Sequence, residues 1–285
     1  MPNDLSNPLS NPLSNVRIVL MEPAGALNVG SIARIMKNME LRQLVLVNPQ
    51  CDPLSDEARK MAVHAADVLE SALRVQTLPE ALQGCHRVIA TTGRSDTTLK
   101  IPLEPPRSAL PWLIAAGTDS TADVAASAST NTALIFGRED RGLTNQELNY
   151  AQRLVYIPSS PEYESLNLAQ AVAICCYELY SSINQPSNQP LTPAPPTVSP
   201  PSSPAIAAVP ENPPTFEAVE AYHQQLEALL LRIGYLYPHT AASRMEKLRR
   251  LLQRSSPSAE EVAMLRGILR QVEWALGQTV PPNVP

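Results

Sequence analysis

Three short segments of this chain place small and polar residues directly after apolar runs, where backbone groups rather than side chains would meet a ligand. The first is Asn28-Val-Gly-Ser-Ile-Ala-Arg34. Amides at a helix start bind anions. Asn28 can cap that start, Gly30 lets another backbone come close, and Arg34 can hold a phosphate. An ordinary amphipathic helix with a solvated Arg34 would use the same residues. The second is Phe136-Gly-Arg-Glu-Asp-Arg-Gly-Leu143. Gly137 and Gly142 permit close approach and unusual backbone angles. Glu139 stands between them at a strand's carboxyl end, where open α/β sheets bind ligands. A charged strand-to-helix turn would again look the same. The third runs from Ile157-Pro158 to Ser165-Leu-Asn-Leu-Ala169. Either Ser165 or Asn167 can cap the apolar helix that follows Leu166. A similar turn, Thr91-Thr92-Gly93, follows another strand. Converging turns of this kind would line a pocket with backbone N–H and C=O groups, able to hold a small organic ligand without a metal.

The elements that must position these turns are legible as periodic runs. Val16 to Met21, Leu44 to Val47, Arg87 to Thr92, Thr132 to Phe136 and Leu154 to Ile157 read as buried strands. Between them lie helical patterns. One opens at Asn28, with Ile32, Ile35, Met36 and Met39 on one face. Others run from Ser55 to Leu69, from Pro79 to Leu82, weakly from Pro111 to Ala116, and from Leu166 to Tyr180. Thr144-x-x-Glu147 is a capping box that starts one more. Alternating strands and helices predict an α/β domain over residues 16–182, a parallel sheet with helices on both faces. Periodicity does not give the strand order. No G-x-G-x-x-G follows a strand, which disfavours a Rossmann-type oxidoreductase.

Residues 1–15 repeat Leu-Ser-Asn-Pro and read as a disordered tail. Residues 117–131 are rich in Ser, Thr and Ala and read as a flexible insertion. Residues 183–214 are a Pro/Ser-rich linker, and 278–285 form a second disordered tail. Between these last two, residues 215–277 carry three helical patterns, expected at Thr215 to Ile233, Ala241 to Gln253 and Ser256 to Leu276. So small a segment has little core of its own and should pack on the main domain or on a second subunit.

The 285 residues carry 22 Lys and Arg against 27 Asp and Glu, a formal charge of -5. That balance would not by itself suggest nucleic acid, although the local field at a binding face is what counts. The basic cluster around Arg244, Lys247 and Arg250 is the best local candidate for such a face; a solvated helix face is the plain alternative. Cys51, Cys85, Cys175 and Cys176 lack metal-ligand spacing, and His64, His86, His223 and His239 are scattered, so no metal is expected. Reduced thiols, no secretory signal and no apolar membrane span predict a cytoplasmic protein.

Taken in order, the three segments and the Thr91-Thr92-Gly93 turn resemble the SpoU class of the SPOUT RNA ribose methyltransferases, over Val16 to about Tyr180. The resemblance implies a deep trefoil knot in the C-terminal half of the sheet, which ordinary chain-connection rules would have rejected. It also implies S-adenosylmethionine as cofactor, tRNA or another RNA as substrate, and a homodimer with the site near its interface. Carried over residue by residue, cofactor contacts fall on Thr91, Thr92, Gly93, Gly137, Ile157, Ser165, Leu166 and Asn167. The catalytic set is Arg34, Asn28, Glu139, Ser165 and Asn167, with Arg34, Arg244, Lys247 and Arg250 facing RNA. A guanidinium is a poor base, so Arg34 reads better as a phosphate clamp. Within the class, Met36-Lys-Asn-Met39, Val47-Asn-Pro49, Pro161-Glu-Tyr163 and the helical extension are most similar to bacterial tRNA 2'-O-methyltransferases acting at nucleotide 32 of the anticodon loop. The runner-up is a ribosomal RNA or a different tRNA position. A knotted RNA-binding protein without catalysis is disfavoured, because Asn28, Arg34, Glu139 and Ser165 are all present. Glu40 departs from the family, which commonly has glycine there, and the Pro-rich linker is long.

Overall fold

The computed structural model describes residues 11–94, 101–115, 130–184 and 212–278. Most of the expected 117–131 insertion, most of the 183–214 linker and nearly all of the 278–285 tail lie outside the described residues, as do residues 1–10; the insertion's expected last residue, Asn131, instead begins a strand.

Seven strands form one sheet: β1 (Val16–Met21), β2 (Gln43–Val47), β3 (Leu73–Val75), β4 (Cys85–Thr92), β5 (Leu103–Glu104), β6 (Asn131–Phe136) and β7 (Arg153–Tyr156). Their order is β3-β2-β1-β6-β4-β7-β5, and every neighbouring pair is parallel. Side chains alternate between two apolar cores. Ile18, Leu20, Leu134 and Phe136 face one; Val19, Met21, Ala133 and Ile135 face the other. Burial on both faces is why these strands read as continuous apolar runs. β3 and β5 were not expected. They are short edge strands, half-buried or exposed, and carry no such run.

The helices of this domain are α1 (Ala26–Asn38), α2 (Asp56–Ala62), α3 (Ala66–Glu70), α4 (Leu78–Ala81), α5 (Pro106–Ala109), α6 (Pro111–Ile114), α7 (Asn145–Leu148) and α8 (Leu168–Asn184). α1 buries Val29, Ile32, Ala33 and Met36, and Gly30 lies so close to α2 that a Cβ there would collide with the Ala58 carbonyl. The single helix expected from Ser55 to Leu69 is two. Val63 adopts φ 54, a left-handed angle that no helix interior allows, and it separates α2 from α3. Glu40, the departure from the family's glycine, also has a left-handed φ of 58. The expected loose tail ends earlier than residue 15. Pro12–Asn15 form a 3-10 turn capped by the Asn11 side chain, and Leu13 is fully buried in the core.

The C-terminal extension is α9 (Phe216–Arg232), α10 (Pro238–Ser255) and α11 (Ala259–Gln278). Its own core is small, centred on Leu236, Ala241 and Met245, and it leans on the main domain. The rings of Phe216 and Tyr150 lie 5.7 Å apart. Arg249 stacks over Tyr150 at 5.5 Å while both its terminal nitrogens donate to Glu220 at 2.7 and 3.0 Å. Gln253 donates to the Asn149 carbonyl at 2.9 Å, and the Gly84 amide donates to Glu217. Among the described residues no helix is long and apolar enough to cross a membrane, and no cluster of His, Cys, Asp or Glu could hold a metal ion.

Candidate active site

β6 lies between β1 and β4, and β7 flanks β4 on the other side. The loops leaving β6, β4 and β7 therefore emerge side by side at the carboxyl edge of the sheet, where such sheets bind ligands. They enclose a cavity of about 430 Å³. Thr91, Thr92 and Gly93 line it from β4, Gly137 and Glu139 from β6, and Ile157, Ser165 and Leu166 from the loop after β7. Among the described residues Ser165 is exposed and its hydroxyl makes no hydrogen bond. The Thr91 hydroxyl is engaged with the Ile135 carbonyl at 3.0 Å, so from this residue the backbone is left for a ligand.

The loop after β6 depends on its glycines. Gly142 has φ 68, and its amide returns to the Arg138 carbonyl at 2.9 Å. This folds Gly142 and Leu143 back over Gly137 so tightly that a Cβ on Gly137 would overlap their backbone atoms. Gly93 is different: among the described residues nothing lies within 4 Å of where its Cβ would be. Its side faces open space at the cavity.

A chain of side-chain hydrogen bonds ties the three sequence segments together. Glu139 accepts from the Ala24 amide at 3.1 Å, the Gly25 amide at 3.0 Å and Asn28 Nδ2 at 3.1 Å. Asn28 Oδ1 accepts from Asn167 Nδ2 at 3.1 Å. Asn167 Oδ1 in turn accepts from the Ala169 amide at 2.9 Å and caps α8. Burial would raise the Glu139 carboxyl. The bonds from Ala24, Asn28, its own amide and Gly25 outweigh this and hold it below the ordinary carboxylate value.

This geometry revises several expectations. Asn28 does not cap α1. The cap position is Gly25, with no side-chain bond, and Asn28 sits inside the first turn. The anion at that helix start is the protein's own Glu139, so no phosphate is needed there. Of the two candidate caps of α8, Asn167 serves and Ser165 does not. Asn167 reaches the cavity through Asn28 and Glu139 rather than by lining it. Arg34 does not share the cleft. It is exposed on α1, on the same face as Leu27, and outside the cavity lining. Arg250 is drawn inward to Glu246 and to Asn149 Oδ1, because α10 docks there. Arg244 and Lys247 remain exposed. Sequence reasoning missed Arg94, Arg138 and Glu164 in the cavity wall. Each adjoins a residue it did single out, and that adjacency was the available signal.

Residues 15–177 match the SpoU rRNA Methylase family, and residues 217–281 match the C-terminal domain of the tRNA methyltransferase TrmJ. The chain is 38% identical over 266 residues to the tRNA (cytidine/uridine-2'-O-)-methyltransferase TrmJ of Pectobacterium atrosepticum, covering 91% of this chain and 97% of the relative. It is 39% identical to that of Klebsiella pneumoniae, covering 91% and 96%. The crystal structure of TrmJ from Z. mobilis superposes with a TM-score of 0.68 at 29% identity, covering 90% of this chain and 98% of that one. A methylase family protein from Neisseria gonorrhoeae gives 0.55 at 34% identity over 67% and 92%. The chain belongs to the SpoU methylase family.

Proposed function

We propose that this chain methylates a ribose 2'-hydroxyl of tRNA with S-adenosylmethionine, at nucleotide 32 of the anticodon loop. The observation that carries the reading is the convergence of three loops on one cavity, with Glu139, Asn28 and Asn167 bonded in series behind it. The TrmJ relatives, named for 2'-O-methylation of cytidine and uridine in tRNA, support it along nearly their whole length.

The cavity suits the cofactor. Its volume lies in the range of small-molecule sites, and Gly93, with no described residue within 4 Å of its Cβ position, leaves room that any side chain would fill. When bound, S-adenosylmethionine supplies an electrophilic methyl group on a sulfonium. The chain's part is mostly alignment. Backbone groups of Thr91, Thr92, Gly93, Gly137, Ile157 and Leu166 hold the ligand. Ser165, with its free hydroxyl at the mouth, orients the ribose. Glu139 is a poor base, since both oxygens accept bonds and its surroundings lower its affinity for a proton. It positions the β6 loop against α1, and Asn167 does the same for the β7 loop.

The active form in this proposal is a homodimer and the loops form the family's trefoil knot. Leu27 is 52% and Tyr177 55% exposed on the packed pair α1 and α8, an apolar surface for a second copy. Arg34, on the Leu27 face of α1, then serves as a phosphate clamp beside a partner's cavity. It stabilises the developing alkoxide electrostatically.

Calorimetric titration with S-adenosylmethionine, followed by mapping of 2'-O-methylation on tRNA from a deletion strain, tests the assignment. Arg34→Ala should abolish transfer while cofactor binding stays within about twofold. Undiminished turnover in that variant, or a nucleotide 32 still methylated in the deletion strain with no second enzyme covering it, refutes the corresponding part.

A further inference from the structure

Helix α9 ends in a left-handed turn at Gly234, with φ 76, and the chain enters α10 at Pro238. Of the five residues from Ile233 to Tyr237 only Leu236 is buried. Leu236 is 1% exposed and anchors the turn in the small core of the extension, while Tyr235 and Tyr237 on either side are 58% and 54% exposed. Both rings are held from beneath. Arg244 donates to the Tyr235 carbonyl at 2.9 Å and lies 5.7 Å from that ring's centre. Tyr237 stacks on His239 at 5.9 Å with 23° between the planes.

The charge along this stretch of chain is almost all of one sign. Arg232, Arg244 and Lys247 are exposed. Glu246 is the sole carboxylate from residue 231 to 247, and Arg250 neutralises it. A protein-binding patch would centre on apolar groups and shed charge. Exposed aromatic faces framed by cations instead match single-stranded nucleic acid, whose bases stack on rings while its phosphates meet Arg and Lys. We propose that Tyr235, Tyr237 and His239, framed by Arg232, Arg244 and Lys247, form a stacking platform for unpaired bases of the tRNA, separate from the methyl-transfer cavity. The proposal rests on an RNA substrate, as argued above.

The test measures binding of tRNA and of an unstructured oligoribonucleotide by the full chain across a range of salt. The double variant Tyr235→Ala, Tyr237→Ala should lose about tenfold or more in affinity, with the slope of log affinity against log salt unchanged. Tyr235→Phe, Tyr237→Phe should bind like wild type, since stacking needs the ring and not the hydroxyl. Arg244→Gln, Lys247→Gln should flatten the salt slope by about one to two units. Matching thermal melts and unchanged S-adenosylmethionine titrations exclude misfolding. Affinity within twofold of wild type for the double alanine variant overturns the platform, as does a wild-type chain that binds neither RNA. A chain that binds both RNAs through these tyrosines yet neither binds S-adenosylmethionine nor methylates tRNA would leave the platform standing and sink the functional reading instead.

Discussion

The cavity at the sheet edge and the C-terminal extension use their polar side chains in opposite ways. At the cavity, Glu139, Asn28 and Asn167 bond to one another and to helix-end amides. The polar side chains hold the loops, and backbone is left to meet a ligand. In the extension, Arg249 ties α10 to α9 through Glu220 while Gln253 fastens α10 to Asn149 of the main domain, and exposed rings and cations collect where α9 turns into α10. Loops from three strands can surround a small molecule. Three helices with a small core can only present a surface, which suits a large and charged partner.

The largest effect should come from Gly137→Ala. The added Cβ would overlap backbone at Gly142 and Leu143, not a movable side chain, so about 3 kcal/mol or more of stability should be lost, together with cofactor binding. Gly93→Ala is the contrast, because no described residue approaches that position; its urea midpoint should match wild type while cofactor affinity falls. Equal denaturation midpoints for Gly137→Ala and wild type would break the distinction between the two glycines.

Next comes Glu139→Gln. An amide cannot accept all three bonds and carries no charge for the α1 terminus, so about 1.5–3 kcal/mol should be lost at neutral pH. The folded state lowers this carboxyl. Its contribution is therefore present above the ordinary carboxylate value and is lost as pH falls through the folded value. Thermal melts across acid pH should show a shallower decline in the variant; parallel curves would remove Glu139 from the linkage.

The extension should respond to acid through a different group. His223 is 2% exposed, and burial, then the Arg249 charge, push its imidazole from 6.5 down to about 4. Folding favours the neutral ring. Its contribution is full above pH 6.5 and is lost as pH falls from 6.5 toward 4, an effect on the order of 2 kcal/mol. His223→Phe should remove that dependence, read as the pH profile of α9–α11 unfolding. A profile unchanged by the substitution would show that another group governs it.

The smallest effect sharpens the comparison from outside both regions. Glu40→Gly relieves a left-handed φ of 58 but gives up the Asn11 bond at 2.9 Å. A net gain of about 0.5–1 kcal/mol is expected, with both tRNA and cofactor affinity unaltered. A loss of stability would mean that the Asn11 contact outweighs the backbone strain.

The five long strands were readable because burial on both faces leaves an unbroken apolar run. β3 and β5 were not, because two or three residues at a sheet edge carry no pattern. The break at Val63 was equally hidden. Val63 has helix-compatible neighbours, and only the packing of α2 and α3 on α1 forces its backbone over. The cavity turns could be marked as turns from local residue types, since glycine, serine and asparagine favour them at strand ends, and their joint order rather than any one of them set them apart. What Asn28 and Glu139 do could not be read this way, because Asn28 bonds to residues 111 and 139 positions away and Glu139 to amides 115 and 114 positions away.

The amino-acid sequence by itself therefore determined the kind of layer this protein builds, the ends of its strands and the residues left at those ends. These depend on local periodicity and on backbone freedom, both properties of neighbouring residues. Only the tertiary structure decided that β6 inserts between β1 and β4, that Glu139 fills the helix start expected to bind an anion, and that Arg34 and Arg250 lie away from the positions expected of them. Strand order and side-chain partners are settled by long-range packing, where one carboxylate can satisfy amides from a distant helix better than water can.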